Sequence, residues 1–151
     1  MSETQVVEEI RTSAPASAAF AYVADFDHQA AWDPNTTSSR RLTELPIAVG
    51  SRFALEVRMG RGTKPMGYRI TVLEPPELVV LVGEGDGIWT EDTIEFRPDA
   101  DATVVRYAAR IRLEGPLGLI QPLLSRAFRS IGQGAAEGLR RELDRLAQEG
   151  V

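Results

Sequence analysis

Hydrophobic and polar positions alternate along this chain in two rhythms that divide it into strands and helices. A period of two runs through the middle. Phe53, Leu55, Val57 and Met59 are set against Arg52, Glu56 and Arg58, and Val105, Tyr107, Ala109, Ile111 and Leu113 against Arg106, Arg110 and Arg112. Successive side chains of a strand point to opposite faces, so each run predicts a strand with one covered face and one wet face. Strands are expected near 36–43, 51–59, 66–74, 77–84, 88–97 and 102–113. Val49-Gly50, Gly60 to Gly62, Pro75-Pro76, Gly83 to Gly87 and Pro98 to Asp101 punctuate them. Closely spaced strands with such short connections predict an antiparallel meander. A further strand is expected over 5–12, with Val6, Val7 and Ile10 as its apolar members.

Elsewhere the spacing changes to three and four. After Ser13-Ala14-Pro15, the residues Ala19, Phe20 and Val23 predict a helix of about two turns. A second short helical piece is expected from Asp25 to Ala31, ended by the turn signal Asp33-Pro34-Asn35. Near the C-terminus Leu117, Ile120, Leu124, Phe128, Ile131, Ala135, Leu139, Leu143 and Leu146 recur on one side, with Arg126, Arg129, Glu137, Arg140, Arg141, Asp144 and Arg145 on the other. This predicts a long amphipathic helix that covers the apolar face of the sheet. Pro122 lies inside the pattern, so the helix either starts or kinks there. About 28 residues of regular helix would span about 42 Å, enough to cross the sheet. With no repeat or linker in sight, the expectation is one α+β domain over residues 1–151.

Composition narrows the chemistry. The 151 residues carry a net charge of -5, which argues against a nucleic-acid binder built on bulk charge. There is no cysteine, and His28 is the single histidine, so thiolate and histidine-rich metal sites are excluded. No metal or other cofactor is expected. The first thirty residues lack a basic start followed by an apolar run, and no stretch is apolar enough to span a bilayer; a cytoplasmic location without stable membrane insertion is expected.

The order of elements and several turn motifs resemble the helix-grip superfamily of START-related and polyketide cyclase/dehydrase-like proteins (SRPBCC). The likeness is carried by Ile10 to Pro15 with Phe20, by Val23-Ala24-Asp25 leading to Trp32-Asp33-Pro34, and by Val49-Gly50 before a strand. Leu73-Glu74-Pro75-Pro76 between two strands, Thr103-Val104-Val105 with Tyr107, Gly115 and the long terminal helix complete it. The resemblance covers about residues 5 to 148. It implies a curved antiparallel sheet of about seven strands wrapped around the C-terminal helix, with two short helices after the first strand. It also implies a cavity between sheet and helix for a small hydrophobic molecule, lipid-, polyketide- or isoprenoid-like.

Mapped onto that implied cavity, the expected ligand-binding residues are Tyr22, Trp32, Phe53, Leu55, Val57, Tyr68, Ile94, Tyr107, Ala109, Phe128, Ile131 and Ala135. The aromatic members could equally fill an ordinary core, since cavity walls and cores share this composition. Gly132, Gly134 and Gly138 inside the terminal helix each cost up to about 1 kcal/mol relative to alanine. They either leave volume above the sheet for a ligand or permit close helix contacts. Tyr107 adds a hydroxyl to an otherwise apolar face.

Three residues are candidates for acid/base chemistry: Asp92, Tyr107 and His28. If Ile94 and Phe96 point inward, period two places Asp92 and Thr90 on the same face, where a desolvated carboxylate has a raised pKa suited to proton transfer. A bulge that flips the register, or a place at the open end of the sheet, would remove that role. His28 is a candidate because histidine is the residue type suited to acid/base work near neutral pH, and the resemblance implies a place near the cavity mouth; a solvated surface histidine is the competing reading. Asp25, Asp27, His28 and Asp33 fit no metal-binding spacing. Gly60 to Lys64 reads as a hairpin turn rather than a phosphate loop.

Two functions follow from these readings. One is non-covalent binding of a small hydrophobic molecule in the cavity; the other is a polyketide aromatase/cyclase or dehydrase-like enzyme with cavity acid/base residues. The two differ in whether two of Asp92, Tyr107 and His28 converge on one pocket. A partner-binding module ranks behind both, because Arg52, Glu56, Arg58, Arg106, Arg110 and Arg112 make the outer sheet face charged. The chain is expected to act as a monomer or homodimer.

Overall fold

A computed structural model describes residues 3–150. Strand β1 (Thr4–Thr12) is followed by helix α1 (Ala16–Ala24), a 3-10 turn (Phe26–His28) and the one-turn helix α2 (Gln29–Trp32). Six strands follow: β2 (Thr36–Arg41), β3 (Arg52–Met59), β4 (Gly62–Glu74), β5 (Leu78–Gly85), β6 (Ile88–Asp99) and β7 (Ala102–Leu113). A 3-10 segment (Gly115–Ile120) then leads into helix α3 (Gln121–Gln148).

The seven strands form one antiparallel sheet in the order β1-β7-β6-β5-β4-β3-β2. The meander from β2 to β7 matches the alternation in the sequence, and β1 closes against β7 along its whole length, from Thr4 opposite Ile111 to Thr12 opposite Thr103. Register shifts between Thr36 and Ser38 and between Ile70 and Val72 bend the sheet, as bulges do. The hairpin turn between β3 and β4 is confined to Gly60 and Arg61, so β4 begins four residues earlier than the alternation predicts. This curled sheet gripping a terminal helix is the helix-grip fold.

Helix α3 starts where Pro122 permits. Proline in the first turn lacks only an N–H that would have had no intrahelical partner, so the helix begins there and does not kink. Gln121 anchors that start. Its Oε1 accepts from the Leu113 N–H at 2.9 Å, and its Nε2 donates to the Ile111 carbonyl at 2.7 Å and to Thr4 Oγ1 at 3.1 Å. A single buried amide thus joins β7, β1 and the helix.

The apolar stripe of α3 is not uniformly buried. Leu139 and Leu143 sit in the core, whereas Leu124, Phe128, Ile131 and Ala135 are only partly covered. Leu117 and Ile120 precede the helix, and Ile120 is exposed, so these two leave the predicted stripe. The helix rests mainly on β1 and α2 rather than across the middle of the sheet.

The other end of the concave face is packed solid by α1 and the 3-10 turn. Phe20 meets Phe96 edge-on at 5.3 Å, and Phe26 lies 5.3 Å from Tyr68 and 6.0 Å from Phe53. The sheet face is therefore divided: α1 fills one end, and α3 arches over the other. No helix among the described residues is long and apolar enough to cross a membrane.

Candidate functional site

Under the arch of α3 lies a cavity of about 170 Å³. That is close to the roughly 150 Å³ of an engineered apolar cavity that holds benzene. Of the residues expected to line it, Trp32, Val57, Tyr68, Tyr107, Ala109, Phe128, Ile131 and Ala135 do so. Tyr22, Phe53, Leu55 and Ile94 do not. Phe53, Leu55 and Ile94 belong to the solid core, because α1 and Phe26 cover their end of the sheet. Their inward direction was legible, but which helix would meet them was not.

Asp92 points into the cavity. The β5–β6 and β6–β7 ladders run without a shift from Ile88 onward, so no bulge reverses its face, and at 5% exposure it is not at an open end. Tyr107 is its diagonal neighbour on β7, since Asp92 pairs with Ala109 and Ile94 with Tyr107. The Tyr107 hydroxyl donates to Asp92 Oδ2 at 2.5 Å. Burial pushes the Asp92 carboxyl up to about 7; the Tyr107 hydrogen bond opposes this, and the charges of Asp33 and Glu91 add to it. Burial, and then Asp92, hold the Tyr107 phenol well above its ordinary value. Tyr68, likewise raised by burial and Asp92, accepts from Thr90 Oγ1 at 3.4 Å.

A second carboxyl, Asp33, comes from the turn after α2. It accepts from the Asn35 N–H and Thr36 Oγ1, both at 2.9 Å, and from Gln29 Nε2 at 3.3 Å. Burial still outweighs these bonds and raises its pKa. Gln29 also lines the cavity, and its Oε1 is buried without a partner. A third carboxylate, Glu8, faces the cavity from β1, directly opposite Tyr107 in the ladder. The parity that puts Val6 and Ile10 inward also puts Glu8 inward, a signal present in the sequence but unused. Gln29 and Asp33 had no such signal, because no periodicity governs a one-turn helix and its exit.

His28 lies outside the cavity. Its ring stacks on Tyr22 with centroids 4.2 Å apart, and its Nδ1 donates to the Tyr22 carbonyl at 2.9 Å. Tyr22 in turn donates to Glu142 on α3 at 3.3 Å, and its phenol is pushed up to about 12, first by burial and then by that carboxylate. This pair fastens α1 to α3 instead of reaching a ligand. Of the three acid/base candidates, the fold brings together Asp92 and Tyr107 and leaves His28 out.

Glycines shape the cavity from both sides. A Cβ on Gly83, an inward position of β5, would lie 2.4 Å from the Tyr68 ring, and one on Gly85 would lie 2.6 Å from Met66 Sδ. Their bareness lets both side chains cross over β5 into the wall. On α3, a Cβ at Gly132 would meet Val6 Cγ1 at 2.5 Å, and one at Gly138 would meet the Trp32 carbonyl oxygen at 1.9 Å. These two glycines serve close contact, whereas Gly134 would have only an ordinary neighbour, Pro34, at 3.6 Å.

The helix-grip fold is also what comparison with known structures returns. The chain matches the family model for polyketide cyclase / dehydrase and lipid transport proteins over residues 3–149. It belongs to that family. A START superfamily protein from Mycobacterium smegmatis superposes with a TM-score of 0.78 at 16% identity, covering 94% of this chain and 98% of that one. The Zhui aromatase/cyclase from Streptomyces sp. R1128 superposes with the same TM-score of 0.78 at 16% identity, covering 95% of each chain. At such identity these likenesses speak for the fold. Among curated proteins, none matches by sequence.

Proposed function

We propose that the chain binds a small, largely apolar molecule non-covalently in the cavity between sheet and α3. The observation that carries this reading is the space itself: Phe128, Ile131 and Ala135 are held off the sheet and line a void with Val57, Tyr107 and Trp32. A closed core would have buried that stripe as completely as Leu139 and Leu143. Polyketide cyclase / dehydrase and lipid transport activities both occur in the family's description, and both need such a space.

The Asp92–Tyr107 pair favours a second reading, proton transfer on a bound carbonyl compound. A carboxyl with a pKa near neutrality is matched to both removing and returning a proton. Ionised Asp92 would take a proton from the carbon next to a carbonyl, and the electron pair would move onto the oxygen as an enolate. Tyr107 would shift its hydrogen bond from Asp92 to that oxygen. Attack of the enolate carbon on a second carbonyl of the same molecule would close a ring, and the Asp92 proton would pass to the new alkoxide. Holding both ends in one cavity supplies the proximity.

Native mass spectrometry of protein from its own host, followed by organic extraction, tests the first reading. A bound apolar metabolite of fixed mass supports it. Protein that arrives empty and takes up no hydrophobic probe overturns it. The extracted molecule is then assayed for turnover with the wild type, Asp92→Asn and Tyr107→Phe. Equal rates in all three would remove the second reading and leave the first.

A further inference from the structure

We propose that the ligand of this cavity is a small organic amine carried as its ammonium form. This rests on the binding reading above and names the chemistry that the cavity selects. Three carboxyl groups reach the space from three separate elements: Glu8 from β1, Asp92 from β6 and Asp33 from the turn after α2. Glu8 and Asp92 flank Tyr107, one straight across the β1–β7 ladder and the other diagonally across β6–β7, with the small Ala109 beside them. Asp33 is close enough to Asp92 for its charge to raise the Asp92 pKa.

No basic side chain inside the cavity offsets the charge of these groups. Among its lining residues the one basic side chain is Arg58, which is exposed at the rim and donates through Nε to the Pro34 carbonyl at 3.2 Å. Among the described residues Glu8 has no hydrogen-bond or ion-pair partner. Gln29, only 5% exposed, adds an Oε1 that has no donor. Asp92 and Asp33 already accept from neutral donors, so the acceptors left over are the Glu8 carboxylate and Gln29 Oε1, and they call for a ligand that brings a donor and a positive charge. The remaining wall suits the body of such a ligand: Trp32 and Tyr107 stand edge-to-face with ring centroids 6.0 Å apart, and Phe128 lines the same space. Aromatic faces attract organic cations as well as apolar groups. A carboxylate-bearing ligand such as a free fatty acid would meet repulsion, with Arg58 at the rim as the one basic lining side chain to offset it.

Three probes with one skeleton separate these cases: 3-phenylpropylamine, 3-phenylpropan-1-ol and 3-phenylpropanoate. Each is titrated at pH 7 into the intact protein, with NMR shifts of the Trp32 indole and the Gln29 side-chain amide as the readout. The amine is expected to bind about tenfold tighter than the alcohol, and the acid at least as much weaker than the alcohol. Glu8→Gln is expected to reduce the amine's affinity severalfold and the alcohol's much less. If the alcohol or the acid binds as tightly as the amine, or Glu8→Gln weakens both probes alike, the amine assignment falls while the binding reading stands. If none of the probes shifts the cavity resonances, both fall together.

Discussion

Gly138 of α3 lies directly against the Trp32 carbonyl, so close that a methyl group at this position would come within 1.9 Å of the oxygen. The contact seats the one-turn helix α2 under α3 and holds Trp32 and Asp33 at the cavity wall. Backbone cannot yield as a flexible side chain can. Gly138→Ala is therefore expected to destabilise the fold by about 3 kcal/mol, at the upper end of overpacking costs, although alanine is the better helix former. Gly134→Ala, where the added methyl would make only an ordinary contact with Pro34 at 3.6 Å, should be neutral or slightly stabilising. Urea unfolding of the two variants checks the contrast.

Gly83 plays the corresponding part on the sheet. A methyl group there would press on the Tyr68 ring and on Thr90 Oγ1, 2.7 Å away, and Tyr68 would have to tilt into the cavity. Gly83→Ala should cost about 1–3 kcal/mol and weaken ligand uptake. Combining it with Tyr68→Leu should recover part of the stability, so that the two changes are not additive in a double-mutant cycle.

Burying Asp92 links stability to pH. Its folded pKa of about 7 exceeds the ordinary aspartate value of 3.8, so between those values the native state holds a proton that the unfolded chain has released. Stability then falls as pH rises through that window. The groups that face Asp92 are Tyr107 from β7, Tyr68 from β4 and Asp33 from the turn after α2, with Glu91 adding its charge from the same strand. Asn can still accept the Tyr107 hydrogen bond but carries no charge. Asp92→Asn is expected to raise stability by on the order of 2 kcal/mol more at pH 8 than at pH 5. A smaller slope should persist in the variant, because the Asp33 pKa is raised in the same direction. Thermal melts across pH 4–8 measure both.

Gln121 is expected to matter more than its place at a helix start suggests. Gln121→Ala strips partners from the Leu113 N–H, the Ile111 carbonyl and Thr4 Oγ1 at once. Leaving buried backbone groups unpaired costs about 1–3 kcal/mol. Hydrogen exchange should also show faster opening of the Leu113 amide and of the first turn of α3 than of β3 and β4.

Much of the site was readable from parity. Asp92, Tyr107, Ala109 and Val57 were placed inward by counting in twos from their apolar neighbours, and the ladders preserve that count. Phe128, Ile131 and Ala135 followed from the three-and-four spacing of α3. Phe53, Leu55 and Ile94 were equally correct in direction, yet they fell in the filled end of the sheet. His28 and Tyr22 found each other instead of the cavity, because a short helical segment carries no periodicity strong enough to orient its side chains.

The sequence by itself determined most of the elements and the faces of the alternating strands, and its ordered turn motifs carried the resemblance to the helix-grip family. The elements and faces depend on where successive Cβ atoms point, which local backbone geometry settles within a few residues. Tertiary structure alone decided that β1 pairs with β7, that α1 fills one end of the concave face, and that α3 spans the other on glycine contacts at Val6 and Trp32. Those outcomes depend on contacts between residues far apart in the sequence, such as Val6 with Gly132 and Trp32 with Gly138, and on clearances of less than one methyl group. The cavity, and the meeting of Glu8, Asp33 and Asp92 around it, exist only because those clearances close in one place and not in the other.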